Sequence, residues 1–137
     1  MRIVILTVTA LLSTMIFAAN RKTKLYIYGF VTSFNDSTVY FTEIHEIDSA
    51  WIDKKTGFLY SRDNYSYQLR DYMKKKGYRF PTCITSYAKN RKKIEKKYTK
   101  LKKKYTENKN FNVKYIPLNE FKYKPIMPEL DEIEGKK

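Results

Sequence analysis

Three groups of residues in this chain could carry chemistry: one histidine among three carboxylates, one cysteine, and a run of lysines. His45 is the only histidine, and Glu43, Glu46 and Asp48 stand around it. Alternate residues of a strand share a side, so Glu43 pairs with His45 and Glu46 with Asp48. Zinc needs three or four ligands, and the one other soft ligand in the chain is Cys83. The expectation is therefore no metal and no cofactor, with this cluster as a solvent-facing polar strand edge. Cys83 and His45 together would be the minimum for thiolate catalysis, which needs a base beside the sulfur. The setting Pro81-Thr82-Cys83-Ile84 instead predicts a small residue buried in a strand, and one cysteine allows no disulfide within the chain. With four glycines in all, there is no G-x-S-x-G elbow, phosphate-binding glycine loop or H-E-x-x-H. The expectation is a protein that is not an enzyme.

The lysines are the stronger signal. From Lys89 to Lys109 there are eleven basic residues and two acidic ones. Ile94, Tyr98, Leu101 and Tyr105 recur through the same stretch at steps of four, three and four, the seam of an amphipathic helix. Such a helix would turn Lys92, Lys93, Lys96, Lys97, Lys100, Lys103 and Lys104 away from the seam as a positive ridge, and these seven are the expected polyanion-binding residues. The whole chain carries a net charge of +14, unevenly placed. Leu25 to Leu69 has three basic and six acidic residues, whereas Arg70 to Lys124 has nineteen and four. A polyanionic partner accounts for this asymmetry. So does an AT-rich coding sequence, which enriches lysine together with asparagine, isoleucine and tyrosine.

These residues need a fold to position them. At 137 residues, with 42% hydrophobic and 16% aromatic residues, the chain is long enough for one core and too aromatic for disorder. Leu25 to Phe34 and Thr38 to Ile47 are rich in β-branched and aromatic residues, and Asn35-Asp36-Ser37 between them predicts a β-hairpin. Alternation in its first strand puts Leu25, Ile27, Gly29 and Val31 on one face, to be covered by helices. Tyr26, Tyr28, Phe30 and Thr32 form the other face, aromatic and open to a ligand or a second subunit. Asp48 to Tyr60 is ambiguous: Ile44, Ile47, Ala50 and Trp51 fall at helical spacing across its start, yet Thr56-Gly57 breaks the pattern, which predicts a strand end followed by a short turn or helix packed through Trp51 and Phe58. A helix from an Asn64 cap to Lys76, stopped by Gly77, comes next. A strand over Arg79 to Tyr87 has Pro81 at its start or on a sheet edge. The lysine helix, about Asn90 to Glu107, leads into a last strand from Phe111 to Ile116, resuming from Glu120 to Tyr123. The expected fold class is α+β, in the order β-β-α-β-α-β, with a mostly antiparallel four-stranded sheet and both helices on one face. Domain limits are residues 20–124, followed by an acidic, Pro-punctuated loose tail over 125–137.

Residues 1–19 decide which compartment the charge meets. Arg2, an apolar run from Ile3 to Phe17 and then Ala18-Ala19 have the layout of a signal peptide, and the run is short for a membrane span. Export to the periplasm or the outside follows, with retention by a short N-terminal anchor as the alternative, since Arg21, Lys22 and Lys24 follow the run and oppose translocation.

As a whole, through stretches such as Tyr65 to Tyr72 (YSYQLRDY) and Glu95 to Tyr105 (EKKYTKLKKKY), the chain resembles small uncharacterised exported proteins of Gram-negative anaerobes. That resemblance implies export and brings no site residues. The segment from Arg79 to Ile116, a strand, a polar turn, a lysine-rich helix and a strand, is similar to the second half of SPOR-type peptidoglycan-binding domains. Those domains run β-α-β-β-α-β, whereas this chain opens on a hairpin. The likeness implies a cell-wall glycan as partner without designating residues. The expected partner is thus an anionic envelope polymer or membrane surface. A homo-oligomer paired through the aromatic hairpin face is the alternative, and nucleic acid becomes the partner if the chain is not exported.

Overall fold

The computed structural model describes residues 20–129. The expected signal segment 1–19 and the acidic end of the tail, 130–137, lie outside the described residues. Strands β1 (Asn20–Ser33), β2 (Asp36–Thr42) and β3 (His45–Asp53) come first. Helix α1 (Arg62–Lys75), strand β4 (Thr82–Ala88), helix α2 (Arg91–Thr106) and strand β5 (Asn112–Ile116) follow. The fold is α+β with a five-stranded, mostly antiparallel sheet, so the class holds and the order gains one strand, β-β-β-α-β-α-β.

The added strand is β3, and its apparent helical spacing has a plain cause. β1 begins at Asn20 and offers a pairing edge as far as Asp53. Thr23 lies opposite Ala50 and Leu25 opposite Ile47, so three steps on β3 span two on β1. That bulge turns Ile47 and Ala50 to the same buried side, an i, i+3 pattern made by an extra residue in a strand.

β1 is the axis of the sheet. Residues 26 and 27 pair with both β3 and β4, and residues 30 and 31 with both β2 and β4. A strand has two edges, so β2 and β3 share one and β4 takes the other. β2 and β3 are therefore one long return arm interrupted at Glu43-Ile44, closed by Phe34-Asn35. β5 lies parallel to β2, with Val113 opposite Val39. β4 pairs with β1 alone, in keeping with the edge position that Pro81 predicted.

The two helices cover opposite faces of the sheet, not one face as expected. Leu69 and Met73 of α1 share a core with Leu25, Ile27 and Val31, whereas Ile94 of α2 shares one with Tyr28, Phe30, Val39 and Phe41. β1 carries apolar residues at both odd and even positions, and each row needs its own cover. The aromatic face is consequently occupied within the chain: Tyr28 is 2% and Phe30 4% exposed.

Helix α1 starts two residues before the expected Asn64 cap. Ser61 takes the cap position at φ 59°, and the Asn64 amide donates to its hydroxyl. Gly77 ends the helix as expected. Its φ is +102°, its N–H donates to the Lys74 carbonyl at 3.0 Å, and the Tyr78 N–H donates to Met73 at 3.1 Å, which together make a Schellman motif.

Beyond β5 the chain forms a strap over the α1 side instead of resuming a strand. Phe121, Tyr123 and Pro128 are buried. Gln68 exchanges two hydrogen bonds of 2.9 Å with the Lys124 backbone, and the Ile126 N–H donates to the Tyr65 hydroxyl at 2.9 Å. The part of the tail within the described residues is thus tied down.

Candidate cation ridge and cleft

α2 is positioned at both its start and its seam. The Asn90 side chain accepts the N–H of Lys92 at 2.8 Å and of Lys93 at 3.4 Å, an N-cap worth about 1 kcal/mol. Ile94 is fully buried. Tyr98 meets Tyr28 edge-on with ring centroids 5.0 Å apart, and Tyr105 meets Phe30 at 4.9 Å. Burial pushes the Tyr98 phenol up to about 12, so it stays neutral.

With the seam facing the sheet, helical periodicity spreads the seven expected lysines over two zones. Lys92, Lys96, Lys100 and Lys103 follow one another at i, i+4, i+8 and i+11 along the crest opposite the seam, and all are exposed. Lys93, Lys97 and Lys104 lie on one flank. Carboxylates are few here. Glu95 is held by Arg91 at 2.9 Å and Glu107 by Lys103 at 3.9 Å, while Lys92, Lys96 and Lys100 have no ion pair among the described residues. Lys102, on the other flank, is half-buried, its ammonium 5.2 Å from the Tyr115 ring centroid. It packs against that ring, whereas the crest lysines face solvent.

The flank carrying Lys93 and Lys97 borders a cleft that local sequence did not reveal. A cavity of about 530 Å³ lies between the loop after β3, the start of α1 and the β4–α2 junction. Arg62, Lys89, Lys93 and Lys97 line it together with Phe58 and no carboxylate. Tyr87 ties its walls: the phenol accepts the Leu59 N–H at 3.0 Å, and the carbonyl accepts from the Lys97 ammonium at 3.4 Å. Arg62 and Lys93 are 31 positions apart in the chain, so only sheet assembly brings them to one cavity. Phe58, expected to pack beside Trp51, is instead 68% exposed at this cleft, because the Thr56-Gly57 turn, with the Phe58 N–H bound to the Thr56 hydroxyl, carries it past the edge of the core.

The other sequence candidates are placed differently from expectation. His45 is only 8% exposed, a correction to the solvent-facing strand edge, because the strap covers it. Its Nδ1–H donates to the Glu43 carbonyl at 2.9 Å, and its Nε2 accepts the Tyr123 N–H at 2.9 Å. Burial holds its pKa below the usual histidine range, and nearby Lys122 acts in the same direction. Glu43 turns to the strap, its carboxylate accepting the Leu118 N–H at 2.6 Å, and Glu46 pairs with Lys24 at 2.8 Å. No group of three or more metal-ligating residues occurs among the described residues. Cys83 is half-buried, and burial pushes its thiol up to about 12. No helix among the described residues is long and apolar enough to cross a membrane.

Set against models of known families, curated proteins and solved structures, the chain matches none of them.

Proposed function

We propose that this is an exported, non-enzymatic protein that holds an anionic polymer of the cell envelope along the crest of α2. The observation that carries this reading is the row Lys92, Lys96, Lys100 and Lys103 on a helix fixed by its opposite side. Like charges at i, i+4 cost about 0.2–0.5 kcal/mol per pair in an isolated helix, and burial of Ile94 offsets that with about 1.5–3 kcal/mol. Lys92, Lys96 and Lys100 have no ion pair among the described residues, with Lys103 beside Glu107 closing the row. Cations so aligned concentrate counterions, and a polyanion displaces those ions with a gain in entropy. The chemistry left to His45 and Cys83 supports a binding role over catalysis, since both imidazole nitrogens are engaged and the thiol is protonated at neutral pH.

Sedimentation with lipopolysaccharide tests the reading. Binding should be strong at low salt, fall steeply with added salt, and drop severalfold in a variant with Lys92, Lys96, Lys100 and Lys103 all changed to Ala. Salt-independent binding, or binding that this variant retains, overturns it. Tighter association with anionic phospholipid vesicles would move the partner to a membrane surface. Tighter association with duplex DNA would favour a chain retained in the cytoplasm.

A further inference from the structure

The geometry points to the cleft beside α2 as a binding site for a phosphorylated sugar. The inference rests on the polyanion reading of α2 and extends it: the crest would hold the polymer, and the cleft would receive a phosphate-bearing sugar unit.

Four cationic side chains reach one concavity from three separate elements. Arg62 opens α1, Lys89 lies in the β4–α2 junction, and Lys93 and Lys97 stand one turn apart on α2. None of the ion pairs among the described residues involves any of the four, and no carboxylate lines the cavity. Like charges gathered at a concave, partly apolar wall raise a positive potential that attracts an anion. Lys97 is braced by the Tyr87 carbonyl, so its ammonium is held at the wall. Arg62 adds a planar donor fork suited to two phosphate oxygens.

The anion that fits is larger than phosphate. The cavity volume of about 530 Å³ falls in the range of small-molecule sites, about 300–1,000 Å³. Phe58 stands at this wall 68% exposed, an apolar ring on which the C–H face of a sugar can lie. The loop holds it there: the Phe58 N–H donates to the Thr56 hydroxyl at 3.1 Å, and its carbonyl accepts the Asp53 N–H at 2.9 Å. The amide nitrogen of Asn90, whose oxygen caps α2, adds a neutral donor to the lining, of the kind that binds sugar hydroxyls.

Calorimetric titration of the full-length chain at low salt provides the test, with glucose 1-phosphate, inorganic phosphate, glucose and adenosine monophosphate as probes. Glucose 1-phosphate should saturate one site per chain and bind about tenfold more tightly than inorganic phosphate or glucose, because each of those lacks half of the recognised chemistry. Arg62→Ala and Lys93→Ala should each weaken it about fivefold or more, as expected for loss of a charge-assisted hydrogen bond. Phe58→Ser should weaken glucose 1-phosphate and leave inorganic phosphate unchanged. All three positions are exposed, so the fold tolerates these changes. Lys96→Ala and Lys103→Ala on the crest should leave the titration unaltered.

Equal losses from crest and cleft variants, no saturation with glucose 1-phosphate, equal affinity for inorganic phosphate, or tighter binding of adenosine monophosphate would each overturn the assignment. Lipopolysaccharide sedimentation of the same variants separates the two readings. If glucose 1-phosphate binds as expected while the polymer never sediments the protein, the crest reading fails and the cleft stands. If the polymer binds through the crest and glucose 1-phosphate never saturates, the cleft fails alone.

Discussion

The Tyr123 backbone N–H donates to Nε2 of His45 at 2.9 Å, and the two rings stack with centroids 5.6 Å apart. This contact joins residues 78 positions apart and closes the C-terminal strap over the α1 side of the sheet. Because Nε2 accepts, the ring proton sits on Nδ1, where it is donated to the Glu43 carbonyl. The imidazole can fill this place only when neutral.

Stability should therefore fall in acid. Burial lowers the folded pKa of His45, so the unfolded chain takes up a proton first, below about 6.5. Stability is fully present above that value and is lost as pH falls toward the folded pKa, at up to about 1.4 kcal/mol per pH unit. Urea midpoints between pH 7.5 and 5.5 should decline for the native chain and stay nearly flat for His45→Gln. The same decline in the variant would assign the acid sensitivity to other groups.

Gly29 sits where a side chain has no room. A Cβ there would run into the Tyr123 hydroxyl and Leu69 Cδ2, and the Gly29 N–H already donates to the Thr42 hydroxyl at 2.7 Å. Gly29→Ala should cost about 1–3 kcal/mol through overpacking. The loss in the double variant with Tyr123→Phe should be smaller than the sum of the two single losses, since that change removes the clashing oxygen. Additive losses by denaturant titration would argue against the clash.

Ile94 anchors α2 over Tyr28 and Phe30. Ile94→Ala should destabilise the protein by about 2–5 kcal/mol, measured by chemical denaturation. As the helix loosens it should uncover the aromatic face, and light scattering should then report concentration-dependent self-association. A variant of native stability that remains monomeric would show that the seam does not depend on this residue.

Cys83 should be slow to react. With the thiol pushed up to about 12, its thiolate fraction at pH 8 is far below that of a free cysteine. Labelling by a disulfide reagent should be on the order of a hundredfold or more slower in the native chain than in urea. Comparable rates would mean that β4 opens readily at this edge.

Local chemistry was legible where a single stretch carried all the information. The start of the lysine helix near Asn90, the Ile94-Tyr98-Leu101-Tyr105 seam and Gly77 as a terminator stand as expected, because each depends on neighbours within a few residues. Ile47 and Ala50 misled because a bulge imitates a helical step when the partner strand is unseen. His45 looked like an exposed polar residue because the group covering it lies at Tyr123, distant in the chain.

The sequence by itself determined the α+β class, most of the element order, the concentration of charge on one helix and the division of β1 into two apolar rows. Those properties follow from composition and short-range periodicity. Tertiary structure alone decided that α1 and α2 take opposite faces, that the aromatic row is sealed by α2, and that the strap covers His45. It alone brought Arg62 to the same cavity as Lys93 and Lys97. The physical reason is that a helix can bury its apolar side against either face of a sheet. Which face it covers, and which cations then meet across a cleft, is settled by packing between segments far apart in the chain.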